Sequence, residues 1–496
     1  MPRVMGAGSV IRSVGRHEGA SFHRTVVDDA ARRSREPSGD RRAASYLAGL
    51  QKERTALTSV QKATDLGRRV VVTTFGSLGD LHPYLALALG LRARGHDVVV
   101  ATGQCYREKI EAHGLGFAAV RPDCDWVTDP ERMRRLSHPR WGLIRVLQMQ
   151  LRSLRKAYAD TLVAVEGAGL LIGNQFAYSA RMVAEKTGIP WASVIHSPIG
   201  LYSAYDPTLL PVLPVASKHL RFLGPAFWGP LGQFLKWGTG WLAEPWRRFR
   251  REIGLPPVTE LNPLTDGHAP GLHLALFSKW LADTQPDWPP QTVVTGFPWY
   301  DEGGSARLPP MLARFLDTGP PPVVFTLGTT LATRPGTFYE CSARAASLLG
   351  RRAVLILRDA RNRPQSLPDG VVAFDYAPFF ELFRRAAAVV HHGGIGTTAL
   401  AMRSGCPMLV MPSAWDQPDN AERAARLGIA RTIPRHRYTP AHVAAELHEL
   451  LDNPKYAQRA SAVGERVRQE DGVQVACDAL FKLLPRGGSV LAGRGM

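Results

Sequence analysis

The run Ala387–Gln417, AAVVHHGGIGTTALAMRSGCPMLVMPSAWDQ, decides the fold of this chain. It opens on a short apolar stretch with the pattern of a buried strand, which delivers His391 and His392 to a turn of Gly393, Gly394 and Gly396. Thr397–Ser404 then reads as a helix start, and Pro407–Met411 as the next strand. Glycines at such a turn let the backbone approach a phosphate closely, and the free amides and positive end of the helix stabilise its charge. Thr397 and Thr398 add hydroxyl donors. A dinucleotide-binding turn competes for this pattern, because Asp416 lies about twenty residues on, where a ribose-binding acid would sit. The spacing Gly393-Gly394-Ile395-Gly396 contains no GxGxxG, however, and a histidine pair fills a mouth that needs only small residues. The plainer alternative is that His391 and His392 are satisfied histidines at a strand end.

The same rhythm runs through the rest of the chain. After Gly319-Pro320-Pro321-Pro322, the segments Val323–Leu327, Ala353–Leu357 and Val371–Phe374 read as strands, with Tyr339–Leu349 as a helix. Nearer the N-terminus, the β-branched run from Val70 to Phe75 ends in the turn Gly76-Ser77-Leu78-Gly79-Asp80. A helix over Tyr84–Arg94 stops at Gly95, and a strand follows at Asp97–Thr102. Leu170–Ile172 and Ala192–Ile195 are further strands, with Tyr178–Thr187 as a helix between them. Alternating strands and helices predict parallel sheets with right-handed crossovers. Two α/β domains result, 67–300 and 301–485, flanked by a disordered extension at 1–66, with a short helix near Tyr46–Leu57, and by a tail at 486–496. Residues 201–257, dense in Pro, Gly, Trp and Phe, break the rhythm and predict irregular helices and loops.

At 496 residues, 45% hydrophobic and 21% charged, the chain is long enough for two cores and has the composition of a soluble globular protein. Its five scattered cysteines form no CxxC pair, which points to a reducing cytoplasm and no metal site. Arg3, Arg12, Arg16, Glu18 and Arg24 interrupt any signal-peptide core, and the apolar window Phe222–Leu235 falls short of the roughly 20 residues that span a bilayer. A net charge of +18 raises nucleic acid or an anionic membrane as partners. Arginines are spread along the whole chain with no dense basic and aromatic alternation, so no nucleic-acid partner is expected.

The segment from His391 resembles the donor signature of family 1 glycosyltransferases, whose bacterial members carry HHGGxGT and, some twenty residues later, P-x-x-x-D-Q. The matching positions are His391–Thr397, then Pro412, Asp416 and Gln417. The resemblance implies a GT-B fold, two Rossmann-like parallel-sheet domains facing across a cleft, with a UDP- or dTDP-sugar as substrate, no cofactor and no metal. It further implies that His391, Gly393, Gly394, Gly396, Thr397 and Thr398 meet the donor diphosphate, and that Asp416 and Gln417 bond the donor sugar. Tyr376-Ala377-Pro378 is similar to the family's aromatic-x-P element, which puts Tyr376 and Ala377 at the base, while a half-buried turn tyrosine is the plainer reading. Gly328 and Thr329 match the family's first C-domain loop, which also reaches the phosphates.

The turn at Gly76–Asp80, with Pro83 after it, resembles the GSxGDxxP turn of bacterial antibiotic and sterol glycosyltransferases, whose aspartate is the proposed general base. A sugar-accepting hydroxyl is barely acidic, so its proton must leave as the new bond forms. Asp80 is the candidate, His82 is its rival, and helix capping is the structural alternative for Asp80. The phrases WPPQTVVTGFPWYDE (288–302) and DQPDNAERAARLGIA (416–430) are similar to rhamnolipid rhamnosyltransferases and related bacterial enzymes, which act on lipid hydroxyls. The expected acceptor is apolar and hydroxylated. Pro214–Arg251 combines Phe222, Phe227, Trp228, Phe234, Trp237, Trp241, Trp246 and Phe249 with Lys218, Arg221, Lys236 and Arg247, Arg248, Arg250 and Arg251, which suits either a peripheral membrane contact or aromatics in the core and pocket lining with the arginines on a solvated face.

Overall fold

The computed structural model describes residues 68–484, except 124–129, 139–140, 210–213, 268 and 301–306. The expectations for the N-terminal extension, its short helix and the C-terminal tail lie outside the described residues.

Among the described residues, thirteen strands form two wholly parallel sheets. The first is ordered β3-β2-β1-β4-β5-β6-β7, from β1 (Arg69–Thr73), β2 (Asp97–Thr102), β3 (Gly116–Ala119), β4 (Leu170–Asn174), β5 (Trp191–Ile195), β6 (His273–Ala275) and β7 (Thr292–Val294). The second is ordered β10-β9-β8-β11-β12-β13, from β8 (Val323–Thr326), β9 (Ala353–Ile356), β10 (Val371–Phe374), β11 (Ala388–His391), β12 (Met408–Val410) and β13 (Ala430–Thr432). Helices cover both faces of such sheets, which is why Val70, Val71 and Val72, and Val323, Val324 and Phe325, are wholly buried without alternation. Strand order reverses between β1 and β4 and between β8 and β11, the places where doubly wound sheets leave a crevice for ligands.

The valine-rich strands agree with the sequence expectation, whereas β3, β6, β7 and β13 were not anticipated. They are three or four residues long, and only β7 is valine-rich, so their strand state comes from pairing with a sheet already formed. Helix α1 (Leu78–Ala93) starts six residues before the expected Tyr84, because Asp80 in its first turn accepts hydrogen bonds from the Ser77 amide at 2.8 Å and the Ser77 hydroxyl at 3.1 Å. A long helix, α2 (Gly142–Ala164), adds Leu154, Ala157, Tyr158, Thr161 and Ala164 to the buried set at helical spacing. The expected irregular segment is largely helical, with α3 (Gly224–Thr239) and α4 (Glu244–Glu252). In the second sheet, α5 (Ile395–Ser404) follows β11 and α6 (Gln417–Arg426) follows β12. The last described helix, α7 (Gly472–Phe481), packs back on the first sheet, where Ala476, Cys477 and Leu480 join Val70, Leu85 and Leu91 in one core.

Candidate active site

The C-terminal ends of β1, β4 and β5 face those of β8, β9, β11 and β12 across a cavity of about 1220 Å³. At the end of β11, successive side chains point to opposite sides. His391 is completely buried, its Nδ1 accepts the Gly393 amide at 3.0 Å, and its Nε2 has no hydrogen-bond partner among the described residues. Of the two, it is His392 that lines the cavity. Its Nδ1 accepts the Gly328 amide at 3.0 Å, which leaves the neutral ring's proton on Nε2. A Cβ on Gly328 would lie 2.3 Å from the His392 Cε1, and one on Gly394 would lie 2.5 Å from its Nε2, so these two glycines make the space for the ring.

Burial, then the neighbouring His392, depresses the His391 pKa to about 3; burial, then the Arg358 charge, depresses that of His392 to about 4. Both imidazoles are neutral near pH 7. The sequence expectation put His391 at the phosphates; in the structure His391 is buried and accepts the Gly393 amide, while His392 lies at the cavity wall. Gly394, Gly396 and Thr397 line the cavity beside it, at the N-terminus of α5. Thr398 does not line it, because its hydroxyl donates to the Gly394 carbonyl at 3.0 Å. Gly393 sits behind the turn at φ +87, where a Cβ would lie 2.8 Å from Val410 Cγ1. Gly328 lines the cavity, and the Thr329 side chain lies outside the described set.

Tyr376 and Ala377 are not part of the cavity wall: Ala377 is buried in the core and Tyr376 is 45% exposed. The wall there is made by Arg358, Pro378, Phe379 and Phe380. The Arg358 guanidinium lies 5.0 Å from the Phe379 ring centre and 5.8 Å from that of Tyr376, so it packs between the cavity wall and the exposed tyrosine.

Asp416 and Gln417 both line the cavity. The Gln417 carbonyl oxygen accepts the amides of Ser413 and Ala414 at 2.9 and 3.0 Å, which fixes the loop and leaves its amide hydrogens for other partners. Asp416 accepts from Asn420 at 2.7 Å. Enclosure first, and the negative Asp80 second, push the Asp416 carboxyl above the usual range, while His196 and Asn420 pull it back. Asp80 comes from the other domain and has two roles at once. Its Oδ2 takes the two Ser77 hydrogen bonds, and its Oδ1 lies 3.2 Å from the His196 Nε2. His196 follows β5, is nearly buried, and has no partner for Nδ1 among the described residues. His82 packs on Tyr300, with ring centres 4.7 Å apart, in the wall of the same cavity.

His196 escaped the sequence reading because a lone histidine after a strand carries no motif. Arg358 left one signal that only coordinates reveal, a non-glycine residue at φ +63. Trp415, at φ +56, donates its ring N–H to the Leu136 carbonyl at 3.1 Å and ties the second domain to the first. A buried hydrogen bond between Ser197 and Asn420, at 3.1 Å, and an ion-paired cluster of Asp206, Asp419, Arg423 and Arg426 tie α6 to the loop after β5.

Beyond Asp80 the cavity becomes apolar, walled by Leu143, Leu147, Phe176, Leu235, Leu242 and Leu264. Helix α3 gives this pocket one face; on its other face Phe234 and Trp237 are 62% and 68% exposed, near Phe222 at 82% and Trp241 at 71%. The proposed membrane set therefore divides. Trp228, Trp246 and Phe249 are core residues. Arg250 is buried against Glu185 at 2.6 Å, and Arg247 holds the Gly240 and Leu261 carbonyls at 2.7 and 2.9 Å. Lys218, Arg221 and Lys236 are paired with Glu422, Asp206 and Asp266. Arg248 and Arg251 are exposed, the latter paired with Glu244. No helix among the described residues is long and apolar enough to cross a membrane.

Two Rossmann-like parallel sheets opposed across one cavity are the GT-B architecture of glycosyltransferases. Residues 70–198 match the glycosyltransferase family 28 N-terminal domain, and residues 349–475 match the C-terminal domain typified by erythromycin biosynthesis protein CIII. The chain is 35% identical over 427 residues to O-mycaminosyltylonolide 6-deoxyallosyltransferase of Streptomyces fradiae, covering 82% of this chain and 96% of that one. It is 32% identical to vancomycin aglycone glucosyltransferase of Amycolatopsis orientalis, covering 84% and 98%. Among solved structures, the glycosyltransferase of kitacinnamycin superposes with a TM-score of 0.64 at 23% identity, covering 84% and 99%. The chain belongs to the family 1 glycosyltransferases.

Proposed function

We propose that the chain moves a hexosyl group, with inversion, from a UDP- or dTDP-sugar on its C-terminal domain to a hydroxyl of an apolar acceptor on its N-terminal domain. What carries the reading is the opposition, across one cavity, of the turn His392–Thr397 and the Asp80–His196 pair, with Asp416 between them. The diphosphate lies at the N-terminus of α5, where backbone amides and the helix dipole stabilise the charge that grows as it leaves. The acceptor oxygen bonds to the anomeric carbon, its proton passes to Asp80, and the bond from that carbon to the phosphate oxygen breaks. Gln417 and Asp416 stand where sugar hydroxyls would bind.

The apolar pocket under α3 supports a lipid, sterol or secondary-metabolite acceptor, and two relatives are named for O-mycaminosyltylonolide and for vancomycin aglycone. The exposed Phe222, Phe234, Trp237 and Trp241 support contact with a membrane face from which such an acceptor could enter. The test is product analysis with labelled UDP- and dTDP-sugars against lipid, sterol and phenolic acceptors, with the anomeric configuration assigned by NMR. A glycoside with inverted configuration is the expected product. An epimerised or hydrolysed donor, or nucleotide-sugar binding without turnover, would replace this reading with an epimerase, a hydrolase or a non-catalytic sensor.

A further inference from the structure

Burial holds both histidines of the turn neutral in the free protein, so the turn itself presents no fixed positive side chain. A nucleoside diphosphate carries two to three negative charges, and backbone amides with a helix end supply only partial ones, roughly +0.5 for the whole helix. The cation that stands beside the turn is Arg358, at the C-terminal end of β9, in the cavity wall with Gly328, His392, Gly394 and Thr397. Its backbone is in the left-handed region at φ +63, a conformation that favours glycine, and its amide is anchored to the Asp375 carbonyl at 3.0 Å. Left-handed backbone at a non-glycine residue costs of order 1–3 kcal/mol and persists where the surroundings enforce it, commonly at ligand sites. The guanidinium packs on Phe379 in a cation–π contact, 5.0 Å from the ring centre.

The other arginine of this wall is differently placed. Arg403 lies in the last turn of α5, far from its N-terminus, with its guanidinium 4.5 and 4.3 Å from the Trp299 and Phe380 ring centres. We propose that Arg358 is the charge partner of the donor diphosphate, and that its left-handed backbone is the conformation that directs a fixed guanidinium into the phosphate cradle. The division of labour is then complete: Arg358 supplies charge, His392 a neutral N–H, and Gly394–Thr397 the amides. Burial, and after it the nearby Arg358 charge, keep the imidazole neutral.

The inference rests on the donor reading above, and the experiment separates the two. Calorimetric titration of the full chain with UDP, dTDP and the corresponding nucleosides is compared for the wild type, Arg358→Gly, Arg358→Asn and Arg358→Lys. Glycine and asparagine both accept φ +63, so both variants are expected to fold. Glycine should leave the thermal midpoint of the free protein unchanged or raise it. Nucleoside diphosphate affinity is expected to fall about 10- to 100-fold in both, as for loss of a charge-assisted bond to phosphate, with nucleoside affinity unmoved and lysine recovering part of the loss. Diphosphate affinity equal to the wild type in the glycine and asparagine variants overturns the role of Arg358 and leaves the donor reading intact. A wild type that binds neither diphosphate overturns both.

Discussion

The two walls of the cleft are built by different means. On the second domain, the turn after β11 and the loop after β12 come from one run of chain, Ala387–Gln417, and their geometry is enforced by glycines, backbone amides and a neutral imidazole packed between Gly328 and Gly394. On the first domain, Asp80 and His196 are 116 residues apart, and the apolar pocket draws on α2, α3 and the segment near Leu264. A diphosphate is the same in every nucleotide-sugar, so under the proposed function a rigid and sequence-local receptor serves it. An acceptor hydroxyl needs a titratable group, and an acceptor body needs a pocket that can be recast by changing a helical insert without touching the sheet.

The sharpest way to break this contrast is Asp80→Asn, which keeps a hydrogen-bond acceptor for Ser77 and removes the base. Transfer should fall by roughly 10²–10⁴-fold in initial-rate assays, with diphosphate affinity unchanged by calorimetry. Normal transfer would move the base to His82 or His196 and leave Asp80 as a cap alone. The glycines divide the second wall more finely. Gly394→Ala drives a methyl group into His392 and should cost about 1–3 kcal/mol of stability in denaturant melts, with loss of diphosphate binding. Gly396→Ala meets no atom within 4 Å, so it should keep the wild-type stability and lose diphosphate affinity only if phosphate approaches that point.

The buried histidines make the same wall sensitive to acid. Their folded pKa values, about 3 and about 4, lie below the ordinary 6.5, so as pH falls the unfolded chain takes up these protons first. The stability concerned is complete above pH 6.5 and drains toward pH 4 and below, at about 1.4 kcal/mol per pH unit for each histidine. Thermal midpoints recorded between about pH 7.5 and pH 5 should decline in the wild type and decline less in His391→Asn; equal slopes would contradict the burial. The smallest effect on the fold is expected at the outer face of α3. Changing Phe234, Trp237 and Trp241 to Ser should alter stability by no more than about 0.5 kcal/mol for each exposed site, yet abolish co-sedimentation with anionic vesicles. Sedimentation that survives these changes would remove the membrane role from this face.

Sequence alone determined the repeating strand and helix units, both parallel sheets, and the turn His391–Thr397 with the Asp416-Gln417 pair after it, because each is encoded within a few residues by β-branched runs, glycines and caps. It also placed Asp80 at the head of a helix and left capping and catalysis as alternatives; the fold gives its two oxygens different partners, Ser77 and His196. Which histidine faces the cavity depends on where β11 ends, a one-residue matter of strand register that HHGG does not state. The place of Arg358 in the cavity wall, and core positions for Arg250 and Trp246, depend on contacts between segments far apart in the chain. Short-range pattern fixes backbone and period, while the face a side chain occupies is decided by burial energy and charge pairing across the whole domain, and these exist only once the sheets have closed on each other.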